Sequence, residues 1–141
     1  MTNPDRVMQV LKYAFVVSGL LFVAVAYKIP LQSSHSPGMV FETILVLMAL
    51  SSVIAGFFAP PRLFSIMSRT QQSKTATPLG QWMSANILSL ACFEACTLSG
   101  FALHAMGGRT RIVGFLFATG IIATILWRPS SAPVTAQSDV H

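Results

Sequence analysis

Four times in 141 residues the chain runs predominantly apolar over a length suited to crossing a bilayer, and each run is bounded by proline, glycine or basic residues. Crossing roughly 30 Å of hydrocarbon takes about 20 residues of helix, because no water is present at that depth to satisfy an open backbone. The runs are Val7 to Tyr27, Met39 to Ala59, Gln81 to Met106 and Ile112 to Trp127. Between them stand Pro30, Pro37 and Gly38, then Pro60, Pro61, Pro78 and Gly80, then Gly107 and Gly108, with Pro129 after the last. Proline lacks an N–H and glycine leaves the backbone free, so both close helices, and here both fall at the ends that hydropathy assigns. The pattern predicts an all-α integral membrane four-helix bundle, with residues 1–141 forming a single transmembrane domain.

Composition narrows the function classes. Charged residues make up 9% of the chain, against about 25% in a soluble domain. The net charge of +5 reads as loop charge facing an anionic cytoplasmic leaflet, so the lipid bilayer is an expected partner and nucleic acid is not. The spans use up nearly all of these residues, leaving no room among them for a separate soluble catalytic domain.

Lys and Arg counts orient the spans. With the amino terminus in the cytoplasm, that side carries Arg6, Lys12, Arg62, Arg69, Lys74 and Arg128, and the other carries Lys28, Arg109 and Arg111. Six against three places both termini inside. Ala24-Val25-Ala26 imitates a secretory cleavage site. Lys12 nevertheless interrupts the apolar run and three more spans follow, so the first helix is expected to be retained. The fourth span is the shortest. Arg111 and Arg128 are expected to snorkel, or the helix to begin near Arg109, with Trp127 and Arg128 as an interfacial anchor.

The 62–80 connection is the one long loop. In its first half Leu63, Ile66 and Met67 share a side flanked by basic residues, as in an interfacial helix, and its second half is polar. The 129–141 tail is polar, rich in Ser, Ala and Pro, and without periodicity. Ala14-Phe15-Val16-Val17-Ser18-Gly19 aligns on Ala95-Cys96-Thr97-Leu98-Ser99-Gly100. The alignment raises the alternative that the bundle consists of two parallel hairpins.

Helices in lipid gain little hydrophobic energy from one another, so small side chains that permit close approach have to supply association. In the third span Ala85, Ser89, Cys92, Cys96, Ser99 and Gly100 fall within a band about 100° wide. Ser52 with Gly56 in the second span, and Gly114 with Ala118 in the fourth, offer matching small-residue pairs. Cys92 and Cys96 read as packing residues, since a disulfide along one helix would be strained.

Glu94 is the sharpest single feature. Near the middle of the third span an ionised carboxylate on lipid would cost several kcal/mol, so the group has to be protonated, paired or turned to a polar interior. Asn86, Thr97 and His104 lie to one side with Glu94 at the margin, a sector that could line a proton path. The alternative is structural: Glu94 bonded to a backbone carbonyl or to a Ser or Thr of the second span. Glu42, near the outer end of the second span, reads as a helix-start residue that could join such a path. His104 is the candidate axial ligand for a pigment or haem, whereas His35 and His141 have no partner at ligand spacing. No catalytic residue set, phosphate loop or zinc spacing is present, and no metal is called for. The sequence requires no cofactor, although ten Phe with two Trp and two Tyr would suit lipid, quinone or a chlorophyll-type pigment.

Span number, size and a mid-membrane glutamate together resemble the duplicated proteolipid subunits of rotary ATPases. That family carries its carboxylate on the second helix of a hairpin and a glycine ladder on the first. Here Glu94 is on the first helix of the second hairpin and no ladder exists, so the family's function is not carried over. Ala91-x-x-Glu94-Ala95-x-x-x-x-Gly100 looks more like small four-helix bacterial membrane proteins, which implies the architecture and no activity. The expected location is accordingly a bacterial inner (plasma) membrane. The expected role is a non-catalytic accessory subunit of a larger membrane complex, of the respiratory or photosynthetic electron-transfer kind, packed against other membrane protein subunits. Two alternatives stay open: a proton-conducting or small-transporter subunit using Glu94, and a pigment- or lipid-binding module using His104.

Overall fold

The computed structural model describes residues 4–28, 38–69 and 77–129, with side chains for all of these except 59–69 and 78. The chain forms four helices: α1 (Pro4–Lys28), α2 (Met39–Arg69), α3 (Pro78–Ala105) and α4 (Thr110–Leu126). No strand occurs among the described residues. Three helices hold a stretch long and apolar enough to cross a membrane: Pro4–Lys28, Met39–Phe58 and Leu79–Ala105. The protein is therefore a membrane protein built as a helical bundle. The fourth helix is equally apolar but has 17 residues, about 25 Å of rise, a few ångströms short of a typical hydrocarbon core.

Local chemistry explains most of the helix ends. Asp5 in the first turn of α1 and Lys28 in its last complement the helix dipole. α3 opens with Pro78 in its first turn, behind Thr77, whose side chain accepts from the Gly80 N–H at 3.2 Å. It closes on Gly107, which takes φ 78°. From there the Gly107 N–H donates to the His104 carbonyl at 3.0 Å and the Gly108 N–H to the Leu103 carbonyl at 2.8 Å, the paired bonds of a Schellman end.

The Pro60-Pro61 pair does not end α2, whose backbone stays helical to Arg69. Proline's fixed φ is compatible with a helix, so a proline costs a hydrogen bond without always ending the element. The apolar run of the sequence does end at the prolines, with Ala59 as its last residue. The amphipathic side chains expected along 62–69, the polar second half of the loop, and the tail from 130 onward lie outside the described residues, as does His35.

α3 is the centre of the bundle and packs against all three other helices, while α1 and α2 make no close approach to each other among the described residues. α3 and α4 form an antiparallel hairpin held at two glycines. A Cβ at Gly120 would stand 3.0 Å from the Phe93 carbonyl oxygen and 2.6 Å from Thr97 Cγ2, and one at Gly100 would stand 3.2 Å from Leu116 Cβ. Two apolar clusters fill the interior. Leu103, Val113, Leu116 and Phe117 pack together toward the α3–α4 turn. Leu90, Phe93, Ala123 and Trp127 do so at the opposite end. Trp127 is thus turned into the bundle rather than standing outside it as an anchor. The outer faces remain apolar, with Val10, Val17 and Leu21 of α1, Ile44 and Met48 of α2, and Ile122 of α4 all exposed, as a lipid environment requires.

Candidate functional site

The polar side chains of a membrane bundle are where function or specificity concentrates, because each must find a partner or water. Glu94 finds one on α1: the Ser18 hydroxyl donates to its Oε1 at 2.6 Å. The partner expected on the second span is instead on the first, since α1 lies alongside α3 with Ser18 and Gly19 facing Glu94 and Thr97. Glu94 is half-buried. Asn86 and Thr97 are almost fully buried, but their hydrogen bonds stay on their own helix. Asn86 Nδ2 donates to the Trp82 carbonyl at 2.8 Å and Thr97 Oγ1 to the Glu94 carbonyl at 2.7 Å. Neither reaches the Glu94 carboxyl group. His104 is half-buried, and its Nε2 is buried without a hydrogen-bond partner among the described residues. It lies ten residues beyond Glu94 on the same helix, about 15 Å along the axis.

Two further charged contacts were not legible as contacts. Lys12, about a third of the way along α1, donates from Nζ to the carbonyl oxygens of Ile125 at 2.6 Å and Trp127 at 2.7 Å. The last carbonyls of a helix have no partner within it, and an ammonium there is favoured both by hydrogen bonding and by the negative end of the dipole. At the opposite end of α4 the capping residue is Arg109, which makes no side-chain cap of its own. Its backbone N–H donates to Glu42 Oε1 at 3.2 Å, and its Nε stands 3.5 Å from Glu42 Oε2. Glu42 is 3% exposed. This buried carboxylate on α2 thus supplies the acidic group that an N-terminus usually takes from its own chain segment. The shortest helix is held at each end by an opposite charge from a different helix.

The small residues divide by what they touch. Ser89 and Cys96 are fully buried on α3, and the Cys96 thiol lies 3.5 Å from the Leu116 carbonyl. Half-buried Cys92 faces α2: its carbonyl accepts from Ser52 Oγ at 3.1 Å, and its Cβ would be 3.1 Å from a Cβ at Gly56. Ser99 is half-buried and bonds back to the Ala95 carbonyl at 2.8 Å. Gly114 and Ala118 are exposed, and a Cβ at Gly114 would meet nothing within 4 Å. α4 packs through Gly120 in their place, on the face opposite that pair. Gly19 on α1, where a Cβ would stand 3.2 Å from Ile121, is the other close approach that spacing alone did not single out. Both cysteines are free, and no group of three or more metal-binding side chains occurs among the described residues.

No family model, curated protein or solved structure matches this chain.

Proposed function

We propose that the chain is a non-catalytic packing subunit of a larger membrane complex. The observation that carries this reading is where the polar side chains of the helices go. Lys12 and Glu42 hold the two ends of α4, Ser18 holds Glu94, and Ser52 holds a carbonyl of α3. Each ties one helix of the bundle to another. The outward faces of α1 and α2, whose backbones make no close approach to each other among the described residues, stay apolar and available to lipid or to neighbouring subunits. The positive-inside count supports both termini in the cytoplasm, and labelling of single cysteines at Ser73 and Ser131 from the external side would reject that orientation.

Purification of the intact membrane assembly in a mild detergent, with mass spectrometry of what accompanies the chain, tests the reading. A reproducible set of larger membrane subunits supports it. A homo-oligomer that conducts protons after reconstitution would replace it with the Glu94 alternative. The buried, partnerless Nε2 of His104 favours a second reading, as a pigment or haem ligand. A coloured preparation whose absorbance disappears in His104→Ala would establish that one instead.

A further inference from the structure

α2 and α4 run side by side from the end where both helices begin, and between them lies a groove of about 370 Å³. Its walls are apolar, formed by Val46 and Leu47 of α2 and by Ile112 and Phe115 of α4. Its charged groups are Glu42, Arg109 and Arg111. They sit within the first turn of α2 and at the start of α4, whereas Val46 and Leu47 lie about 6 to 8 Å deeper than Glu42 along α2 by helical rise. Polarity therefore falls from charged to apolar on passing from the helix starts into the bilayer.

The charges at this end do not balance. Glu42 is engaged by the backbone and guanidinium of Arg109. Arg111 is exposed and has no acidic partner among the described residues. Two guanidinium groups thus face one carboxylate, and the positive end of the α4 dipole adds to the excess. An occupant matching the whole groove has an anionic head and an apolar chain.

We propose that the groove between α2 and α4 holds one anionic phospholipid, its phosphodiester at Arg111 beside Arg109 and its acyl chain against Val46, Leu47, Ile112 and Phe115. A free phosphate would satisfy the charge and leave the apolar walls uncovered. A zwitterionic lipid would cover the walls and leave the charge excess. The proposal does not rest on the packing-subunit reading, since a conducting or pigment-binding bundle would carry the same groove.

The test reconstitutes the delipidated full chain in nanodiscs of phosphatidylcholine with or without phosphatidylglycerol, then counts retained lipids by native mass spectrometry. One phosphatidylglycerol per chain is expected to be retained in preference to phosphatidylcholine. Arg111→Gln should reduce that preference about fivefold, the effect of one basic residue on anionic lipid, with an unchanged helical circular dichroism spectrum. Val46→Trp, which fills the groove, should reduce retention of both lipids. Lys28→Gln removes a cation at the end of α1 and should change neither. Undiminished preference in Arg111→Gln, an equal loss in Lys28→Gln, or unaltered retention in Val46→Trp would each overturn the proposal. Displacement of the lipid by millimolar inorganic phosphate would overturn it in favour of a simple anion site.

Discussion

Lys12 and Trp127, 115 positions apart in the chain, meet where α4 ends: the lysine Nζ donates to the tryptophan carbonyl oxygen at 2.7 Å, and to that of Ile125 at 2.6 Å. A cation that interrupts the apolar run of α1 thus serves a different helix.

Removing that ammonium while keeping the length of the side chain isolates its contribution. Lys12→Met should cost about 2 kcal/mol, the scale of a charge-assisted bond lost from a partly buried site, while Lys12→Arg should retain most of the stability. Thermal unfolding in detergent followed by circular dichroism reads the difference. An unchanged midpoint for Lys12→Met would show that the carbonyls of α4 are equally well satisfied without it.

The opposite end of α4 can be examined by a double-mutant cycle on Glu42 and Arg109. Glu42→Ala removes both the ion pair and the acceptor for the Arg109 N–H, so it should destabilise more than Arg109→Ala, which keeps the backbone bond. Because the guanidinium is largely solvent-exposed, the coupling between the two should stay near or below about 1 kcal/mol. Equal losses from the two single variants would remove the capping role assigned to Glu42.

Two glycines on α4 make opposite predictions. Gly120→Leu forces a side chain into the Phe93 backbone and Thr97 and should abolish assembly or cost at least about 3 kcal/mol. Gly114→Leu points into open space and should leave assembly and thermal stability nearly unchanged. Gly56→Leu and Gly100→Leu belong with Gly120→Leu. Size-exclusion profiles and melting curves of the four variants would reveal a lipid-facing Gly120 if Gly120→Leu behaved like Gly114→Leu.

Glu94 distinguishes a structural carboxyl from a conducting one. A Gln at this position keeps a carbonyl oxygen able to accept from Ser18, so Glu94→Gln should assemble normally, and Ser18→Ala should cost about 1 kcal/mol. Glu94→Lys, which puts a donor-only cation opposite the hydroxyl, should block assembly. Proton flux present in vesicles of the native chain and lost in a well-assembled Glu94→Gln variant would reject the packing role.

The helices were legible because a bilayer admits few alternatives: long apolar runs had to be helices, and Gly107-Gly108 had to be a turn. Partners were less so. Residues equivalent in the two aligned strings, Gly19 and Gly100, both prove to be close approaches to α4. The 3.6-residue period that grouped the α3 small residues could not say which face of α4 would meet them, and therefore selected Gly114 and Ala118 over Gly120. Lys12 and Ser18 bond across helices that are distant in sequence, and one chain read alone holds no distance between helices. The rule that a charge inside a span requires a partner flagged Glu94 and applied equally to Lys12, where it would have prompted a search for carbonyls at a helix end.

Because α4 takes the complement to each of its ends from α1 and α2, the order of synthesis acquires a physical meaning. Of the four described helices α4 follows the other three in the chain and is the shortest, so both groups that hold it are made before it. Until α1 and α2 are in place, the terminal amide and carbonyls of α4 lack the partners that Glu42 and Lys12 supply. α4 therefore reports on both earlier helices: a fault at Lys12 or at Glu42, at opposite ends of the bundle, surfaces in the same element.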